Sequence, residues 1–275
     1  MNKILIAGAH SYIGDSFKAF LDQSPNQYKT EILATRGLEP RKEMFEDIDT
    51  VFCVVGVAHI KETNENRHMY FEVNRDLVIE IARNAKAAGV RQFILLSSMA
   101  VYGKTEGVIT KADIPDPNTA YGESKYQADE EIKKLEDDDF IFTCLRPPMV
   151  YGKNCTGNYK FLRSFALKSP IFPNYRNQRS MIYIGNLCEF VKDCIDQRKR
   201  GLYFPQNAEY TDTSTMVKQI AREHGKKIKL VNWFNWAIRF GKPEIVKKVF
   251  GSLVYEPVDL ENKYGLEESI GLTEK

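Results

Sequence analysis

The sequence has few of the features that would indicate a metal centre, a disulfide scaffold or a membrane span. Its 275 residues include four histidines and five cysteines, which form no Cys-x-x-Cys pair and no metal-ligand spacing. Cys53 and Cys144 lie inside apolar runs, as buried free thiols of a reducing compartment commonly do. No apolar run approaches the roughly 18 residues of a membrane span, and residues 4–7 are too short for the core of a signal peptide. We therefore expect a cytoplasmic protein without a metal site.

The net charge is also small. A formal charge of +2 implies no strong attraction to nucleic acid or to a membrane, so no polyanionic partner is expected. Apolar residues make up 43% of the chain and charged residues 28%, which is ordinary for a soluble globular protein. The length suits one large domain or two unequal ones with a substantial core.

The N-terminus has the pattern of a dinucleotide-binding turn. Residues 3–7 form a short apolar strand pattern, a glycine-bearing turn runs from Gly8 to Gly14, and a helical pattern follows over residues 15–21. Gly8 would permit a tight turn and Gly14 a close helix–strand contact, while the helix N-terminus offers N–H groups to a pyrophosphate. Ser11 replaces the usual middle glycine, and its hydroxyl could donate to phosphate. The turn therefore predicts the start of a Rossmann-type βαβ unit.

The residue after the second predicted strand bears on the cofactor. Residues 30–35 read as this strand, and Arg36 follows. An acidic residue here would hold a ribose 2′-OH and favour NAD, whereas an arginine accommodates the 2′-phosphate of NADP. Arg36 favours NADP; the alternatives are that it stacks on the adenine or points into solvent.

Two further predicted strands end in polar or small residues. Residues 49–55 lead into Val55-Gly56, and residues 92–96 lead into Ser98. Since ligands of an open parallel sheet bind at the carboxyl ends of its strands, Ser98 is expected to meet a reacting hydroxyl of a substrate. A long helix is predicted over residues 65–88, with Asn74 as the polar exception on its apolar stripe. Asn74 either caps a backbone group or fixes the loop that presents the strand.

Tyr121 and Lys125 stand four residues apart in a predicted helix over residues 121–135. Side chains with this spacing share one helical face. A neighbouring ammonium is expected to lower the phenol pKa, which would make Tyr121 a usable general acid/base. The spacing alone is common, so its meaning depends on the surrounding motifs.

Together these motifs resemble the extended short-chain dehydrogenase/reductases, the NAD-dependent epimerase/dehydratase family of nucleotide-sugar enzymes. The resemblance lies in Gly8 to Gly14, Ser97-Ser98-x-x-Val101-Tyr102-Gly103, Tyr121-Gly-x-Ser-Lys125 and Leu145-Arg146-Pro147-Pro148-x-Val-Tyr151-Gly152, in that order. It implies a Rossmann-type doubly wound parallel sheet in residues 1–150, with later returning segments, and a smaller, partly interleaved α/β substrate lobe in residues 151–275.

The resemblance also implies roles for single residues. Tyr121 would be the general acid/base, Lys125 its partner and a ligand of the nicotinamide ribose, and Ser98 a hydrogen-bond partner of the sugar oxygen. Asn158 and Arg179 would bind uridine diphosphate, as in the UDP-sugar branch. The NAD or NADP would lie against Gly8, Ser11, Tyr12, Ile13, Gly14, Arg36, Val55, Gly56, Asn74, Tyr121, Lys125 and Pro147. Ser11, Arg36 and Cys53 depart from a standard NAD epimerase.

The implied activity is hydride transfer at C4 of a UDP-hexose, and three alternatives stay open. A UDP-glucose or UDP-N-acetylglucosamine 4-epimerase would retain its cofactor, whereas an NADPH-dependent UDP-4-keto-6-deoxy-hexosamine 4-reductase would release it oxidised. A dehydratase fits less well, because Met99-Ala100 occupies the place of its acidic pair. Beside the epimerase and the reductase, the third open alternative is a dinucleotide-binding regulator without catalytic activity. A homodimer through the helices beginning near Glu65 and Tyr121 is the family expectation.

The second half of the chain contains two further patterns. Residues 158–167 read as a helix, and residues 171–179 as a basic, proline-containing loop in which Arg176 and Arg179 could clamp a diphosphate. Residues 233–240 read as an apolar helix flanked by lysines. This helix could touch a membrane surface, but we expect it to pack over the substrate lobe as core.

Overall fold

A six-stranded, wholly parallel sheet lies at the centre of the first of two compact units in the computed structural model. This unit comprises Met1–Gly103, Ile114–Pro147 and Cys188–Pro205. The structure describes residues 1–58, 60–233, 235–240, 244–257 and 262–275. The strand order is β10-β6-β4-β3-β1-β2, where the strands are β1 (Asn2–Ala7), β2 (Tyr28–Leu33), β3 (Thr50–Cys53), β4 (Gln92–Leu96), β6 (Ile141–Leu145) and β10 (Gly201–Tyr203).

The order of the strands makes the sheet doubly wound. The strand β2 lies on one side of β1 and β3 lies on the other. The direction in which successive strands are added to the sheet therefore reverses at β1. Since ligands of such sheets bind where the strand order reverses, the turn after β1 is where a dinucleotide is expected. This confirms the predicted fold class.

Helices cover both faces of this sheet because alternate strand residues point to opposite sides. The helices are α1 (Tyr12–Leu21), α2 (Arg67–Phe71), α3 (Val78–Ala87), α4 (Ala120–Lys133) and α6 (Ile184–Asp196). On one face, Val51 and Phe93 pack with Ile81 of α3 and Ile132 of α4 in a single buried cluster. On the other, Phe17 of α1 meets Phe52 of β3 edge to face, with ring centroids 5.1 Å apart.

The second unit comprises Lys104–Asp113, Pro148–Leu187 and Gln206–Lys275. It contains three separate two-stranded parallel pairs, β5 with β12, β7 with β9, and β8 with β11. Its strands are β5 (Gly107–Ile109), β7 (Met149–Tyr151), β8 (Ile171–Pro173), β9 (Met181–Tyr183), β11 (Lys229–Val231) and β12 (Leu253–Tyr255). Its helices are α5 (Asn158–Lys168), α7 (Thr213–Glu223), α8 (Asn235–Phe240), α9 (Glu244–Phe250) and α10 (Leu266–Glu274), and α6 begins here before entering the first unit.

Three sequence-based expectations differ from the structure. The helix predicted over 65–88 consists of α2, a π-helical segment Glu72–Leu77 and α3. The loop predicted over 171–179 begins with β8, which pairs with a strand far along the chain. The periodicity of apolar residues does not separate a single π turn from an α-helix, and the strand pair depends on a partner distant in sequence.

The third difference concerns the apolar segment 233–240, of which Phe234 lies outside the described residues. The helix α8 begins at Asn235, and Trp233 and Trp236 are both largely exposed. The expectation that these tryptophans form core is therefore wrong. Among the described residues, no helix is long and apolar enough to cross a bilayer.

Candidate active site

The turn after β1 is built around a glycine that no other residue could replace without strain. Gly8 has a φ of +123°, a conformation that L side chains rarely adopt. A Cβ at Gly8 would also lie 3.0 Å from the Val54 side chain and 3.3 Å from the Val55 backbone nitrogen. The main chain of β1 and the residues after β3 therefore run close together here. This close contact requires glycine at position 8.

Ser11 occupies the N-cap of α1. Its side chain accepts a hydrogen bond from the Gly14 N–H at 3.4 Å, the usual role of a serine at this position. The hydroxyl proton of Ser11 remains available to donate to an anion. The residues that follow it, Tyr12, Ile13 and Gly14, form the first turn of the helix, whose positive dipole end favours phosphate. These residues fit the pyrophosphate of a dinucleotide.

Arg36 lies three residues beyond the end of β2 and is exposed. Residues 34–38 contain no acidic side chain. The carboxyl end of β2 is therefore followed by an exposed cation, and its role in cofactor binding stays a prediction.

Lys125 is buried to 3% exposure on α4. Its ammonium donates to the carbonyl oxygens of Val55 at 2.8 Å and Leu96 at 3.0 Å, which belong to the carboxyl ends of β3 and β4. A Cβ at Gly56 would lie 3.1 Å from this nitrogen. Burial lowers the lysine pKa from its usual value. An ammonium has three N–H groups, so two tie the lysine to the sheet and one is left for a ligand.

Tyr121 opens α4 beside the turn that carries Ser98. The intervening contact is close, because a Cβ at Gly122 would lie only 2.6 Å from the Ala100 carbonyl oxygen. The Ser98 hydroxyl accepts from the Ala100 N–H at 3.1 Å and lies near enough to the Tyr121 phenol to lower its pKa. Ser98 and Tyr121 thus share one small site at the carboxyl end of β4, while Lys125 lies one helical turn away.

The pKa of the Tyr121 phenol differs from the sequence-based expectation. Burial raises it, the nearby Ser98 hydroxyl opposes that rise, and the buried carboxyl of Asp129 adds to it. Lys125 is not among the causes, because its ammonium is directed at two backbone carbonyls. The expected lowering by a neighbouring cation is therefore replaced by a rise caused by burial.

Asn74 lies on the π-helical segment and is fully buried. Its amide accepts from the Val57 N–H at 2.6 Å and donates to the Val57 carbonyl at 3.2 Å and the Ser124 hydroxyl at 3.2 Å. It thus fixes the loop after β3 against α4. Of the two sequence-based interpretations, the structure favours the one in which Asn74 fixes a loop.

A network that the sequence alone did not reveal lies beneath Lys125. Asp129 accepts from the Ser97 hydroxyl at 2.9 Å and from the Arg146 Nε at 3.0 Å, and Arg146 donates to the Tyr102 hydroxyl at 2.8 Å. All four are buried. The signal was available, because Asp129 continues the face of Tyr121 and Lys125 at the next i+4 position. Arg146 sits between two predicted elements and was assigned no role.

Pro147 follows β6 and is buried, and its carbonyl accepts from the Met99 N–H at 3.0 Å. It therefore anchors the turn that begins at Ser98. The first unit brings together Gly8, Val55, Gly56, Asn74, Ser98, Tyr121, Lys125 and Pro147, all at or beside the carboxyl ends of its strands.

Two predicted ligands of the diphosphate lie in the second unit. Asn158 is exposed at the start of α5. Arg179 is half-buried, donates to the Gly251 carbonyl at 3.1 Å, and has a pKa lowered by burial. Within the described part of the chain, no carboxylate pairs with Arg179.

The described residues contain no group of three or more potential metal ligands. The five cysteines are free and buried, and burial raises the pKa of Cys53 to about 11. The chemistry of this site therefore rests on hydroxyls, one lysine and backbone groups.

The chain is similar to two curated 4-epimerases. It is 28% identical over 214 residues to a UDP-glucose 4-epimerase of Vibrio cholerae, covering 71% of this chain and 65% of that protein. It is 28% identical over 250 residues to the N-acetyl-alpha-D-glucosaminyl-diphospho-ditrans,octacis-undecaprenol 4-epimerase of Escherichia coli O157:H7, covering 82% and 74%. The match to the Vibrio cholerae protein thus spans just under two thirds of that relative's length.

A solved structure has the same fold. The UDP-glucuronic acid 4-epimerase from Bacillus cereus, in complex with NAD, superimposes with a TM-score of 0.78 at 16% identity, covering 98% of this chain and 95% of that one. A family model matches residues 4–203, which is more than half of the chain. The family expected from the sequence motifs is thereby confirmed, and the chain belongs to the NAD dependent epimerase/dehydratase family.

Proposed function

We propose that the protein is a 4-epimerase acting on a hexose attached to a diphosphate, with UDP-glucose or UDP-N-acetylglucosamine as its substrate. The observation that carries this proposal is the site formed by Ser98, Tyr121 and Lys125 beside a turn shaped for a dinucleotide. Both curated relatives support it, since each is named a 4-epimerase. Their names differ in the group that carries the sugar, and both carriers contain a diphosphate.

The protein's own residues would hold the cofactor at the carboxyl edge of the sheet. Gly8 and the first turn of α1 would bind the pyrophosphate, and the third N–H of Lys125 would bind a hydroxyl of the nicotinamide ribose. Val55, Gly56, Asn74 and Pro147 would shape the nicotinamide pocket by fixing its loops. When bound, a nicotinamide accepts a hydride from a sugar carbon and can return it.

The protein itself supplies the acid/base group that takes up the proton and returns it. The Tyr121 phenolate would take the proton of the sugar 4-OH, the resulting phenol would later give it back, and the Ser98 hydroxyl would hold the same sugar oxygen. Because the Ser98 hydroxyl acts against the rise in the phenol pKa, it favours the phenolate needed for the first step. After rotation of the 4-keto sugar, return of the hydride to the opposite face would give the epimer.

Arg179 would bind the diphosphate of the substrate. It is a partly buried guanidinium whose observed partner is a backbone carbonyl, and burial alone lowers its pKa. An anion would relieve this desolvation, and a guanidinium matches the oxygens of a diphosphate in a bidentate geometry. Asn158, exposed at the start of α5, would contact the nucleotide.

An NADPH-dependent 4-keto reductase is the second candidate, and Arg36 is the observation that favours it. The carboxyl end of β2 carries this cation and no acidic residue nearby, which suits a 2′-phosphate. We propose that NADP is accepted at least as well as NAD. Separate titrations with NAD and NADP measure this preference.

The decisive experiment is an assay of the purified protein without added cofactor. Interconversion of UDP-glucose and UDP-galactose, or of their N-acetylated forms, is expected, and nucleotide extracted from the denatured protein should be NAD or NADP. A strict requirement for added NADPH, with a 4-keto sugar as the only substrate, would assign the reductase instead. Dinucleotide binding with no turnover of any sugar would assign a regulator.

We also propose that the protein is cytoplasmic and forms a homodimer. The outward sides of α3 and α4 line an open groove of mixed charge, in which Arg75, Glu80, Arg83 and Glu130 take part. A twofold axis would place such opposite charges of two copies against one another. Light scattering coupled to size-exclusion chromatography measures the molar mass that decides it.

A further inference from the structure

We propose that the second unit binds the surface of an anionic phospholipid membrane. The contact would be made by Phe161, Phe165, Trp233 and Trp236, called here the aromatic face, together with the lysines around it. This interaction goes beyond the proposed function and does not depend on it. It concerns a reversible surface contact and no membrane span.

The aromatic face stands out by its exposure. In the part of the chain that the structure describes, four phenylalanine and tryptophan side chains are more than a third exposed, and all four lie in the second unit. They are Phe161 at 42%, Phe165 at 41%, Trp233 at 63% and Trp236 at 69%. Large aromatic side chains are usually buried, so a group of them in water indicates an interaction surface.

The four side chains belong to elements that are joined to one another. Phe161 and Phe165 are in contact on α5, with ring centroids 4.9 Å apart, and Phe165 meets Phe172 of β8 at 5.9 Å. The strand β8 pairs with β11, which leads directly to Trp233. Beyond β8, the Asn174 carbonyl accepts from the Asn235 side chain of α8 at 2.9 Å. Both parts of the face are therefore attached to one strand pair.

The charge around this face is strongly positive. Residues 226–248 contain seven lysines and arginines and one acidic residue. Residues 148–187 contain six lysines and arginines and no acidic residue. Seven lysines described in these ranges are exposed, namely Lys153, Lys160, Lys168, Lys226, Lys227, Lys229 and Lys247. In the described part of the unit, none of them takes part in an ion pair. The whole chain has a net charge of only +2, so this is a local concentration.

Aromatic residues near lysines without ion pairs suit a membrane surface in two ways: the aromatic rings suit the headgroup level, and the lysines suit the negative charge of an anionic leaflet. Tryptophan favours the headgroup level, where its apolar ring is buried and its N–H stays hydrated. Each lysine near an anionic leaflet strengthens binding about fivefold, as an attraction of about 1 kcal/mol implies. A second copy of the same face is a poorer partner, because it would bring two clusters of lysines together.

The protein offers a direct optical test. Its two tryptophans are Trp233 and Trp236, so all intrinsic tryptophan fluorescence reports on this face. Adding vesicles of phosphatidylglycerol and phosphatidylcholine to the full-length protein should shift the emission to shorter wavelength, and brominated lipid should quench it. Vesicles of phosphatidylcholine alone should have little effect, and rising salt should reverse the shift, since it screens the lysines.

Two sets of variants test the two components, with vesicle co-sedimentation as the measurement. The double variant Trp233→Ala/Trp236→Ala should lower the fraction bound by at least about tenfold, since it removes most of the exposed apolar area. The triple variant Lys226→Glu/Lys227→Glu/Lys229→Glu should lower it on the order of a hundredfold. The matched control is Lys42→Glu/Lys61→Glu/Lys133→Glu, which makes the same change in charge on exposed lysines of the first unit. This control should bind anionic vesicles far better than the triple variant at positions 226, 227 and 229.

The proposal fails if the emission of the folded protein is unchanged by anionic vesicles and the protein stays in the supernatant. It also fails if both triple variants lose binding equally, because the attraction would then follow net charge alone. A blue shift of the unmodified protein that depends on protein concentration without vesicles, together with a dimer that the tryptophan variant no longer forms, would assign the face to a second copy. Epimerase activity towards a water-soluble nucleotide sugar should be unchanged in the tryptophan variant, which keeps this test separate from the proposed reaction.

Discussion

The two units of the chain carry opposite charge. The first has 20 lysines and arginines against 25 aspartates and glutamates, whereas the second has 19 against 12. The near-neutral total therefore conceals an acidic unit and a basic one. The small net charge of the whole chain gives no reason to expect a nucleic-acid partner, but it does not show that one unit is strongly basic.

The two units also differ in the partners of one arginine each. In the first, Arg146 and Asp129 form a buried ion pair that Ser97 and Tyr102 complete. In the second, the half-buried Arg179 meets a backbone carbonyl, as the buried Lys125 of the first unit also does. A buried charge without a counter-charge is costly, so breaking the Arg146–Asp129 pair should cost far more stability than removing the charge of Arg179.

The largest effect is expected in the first unit, from Tyr121→Phe. Removing the hydroxyl should lower kcat by about 10²- to 10⁴-fold, the usual contribution of a general acid/base. In the unmodified protein, a phenol pKa raised by burial keeps Tyr121 protonated at neutral pH. Because the first step needs the phenolate, kcat should rise with pH through the neutral and mildly alkaline range, by up to about tenfold per pH unit.

The matched control for that variant is Tyr126→Phe on the same helix, which should retain activity within a few fold. The pH dependence of kcat tests the role of Tyr121 further, since the rise of kcat with pH should disappear in Tyr121→Phe. An unchanged turnover and an unchanged pH profile in Tyr121→Phe would rule out the catalytic role given to this tyrosine.

The second prediction concerns the stability of the first unit. Arg146→Met leaves Asp129 buried without its cation and should lower the free energy of unfolding by about 3–5 kcal/mol. Chemical denaturation measures this. The matched control is Arg83→Met, which removes an arginine from an exposed i,i+3 ion pair with Glu80 and should cost about 1 kcal/mol or less.

Asp129→Leu/Arg146→Met sharpens this test, because replacing both partners by apolar residues avoids the unpaired charge. The double variant should be more stable than Arg146→Met alone. If Arg146→Met and Arg83→Met had equal effects, the buried network would have no special part in the stability of the unit.

The smallest effect is expected in the second unit, where Arg179→Gln tests the unpaired guanidinium. Loss of charged hydrogen bonds to a diphosphate should weaken UDP binding by about 10- to 100-fold, measured by calorimetry. The stability of the protein should fall little or even rise, since a desolvated charge is removed. Arg176→Gln, an exposed neighbour, is the control and should change affinity less. Equal effects of the two substitutions, or a large loss of stability in Arg179→Gln alone, would argue that Arg179 is structural.

The strands of the first unit could be predicted with small errors at their ends. The buried runs of β1, β3, β4 and β6 are almost wholly apolar, and glycine or serine follows three of them, which is the pattern of a parallel sheet covered on both faces. The paired strands of the second unit were harder to find. Strands β7, β8 and β9 have three residues each, so their sequences carry no alternation long enough to read.

The residues of the candidate site also differ in how well they could be predicted from the sequence. Gly8, Ser98, Tyr121 and Lys125 were predicted because each stands at a fixed offset from a strand end or from another residue. Asn74 was noticed as a polar residue on an apolar stripe, but its partners Val57 and Ser124 were not predictable, since they lie 17 and 50 residues away. The network of Ser97, Asp129 and Arg146 joins three elements and has no local pattern.

The sequence by itself determined the family, the order of its motifs along the chain and the candidate residues for proton transfer. These depend on spacing within single turns and helices, which the chain encodes locally. Only the tertiary structure decided where the Lys125 ammonium points, that burial raises the Tyr121 pKa, and that Trp233 and Trp236 are exposed. The physical reason is that desolvation and exposure depend on every element packed around a group, and most of those elements are distant in sequence.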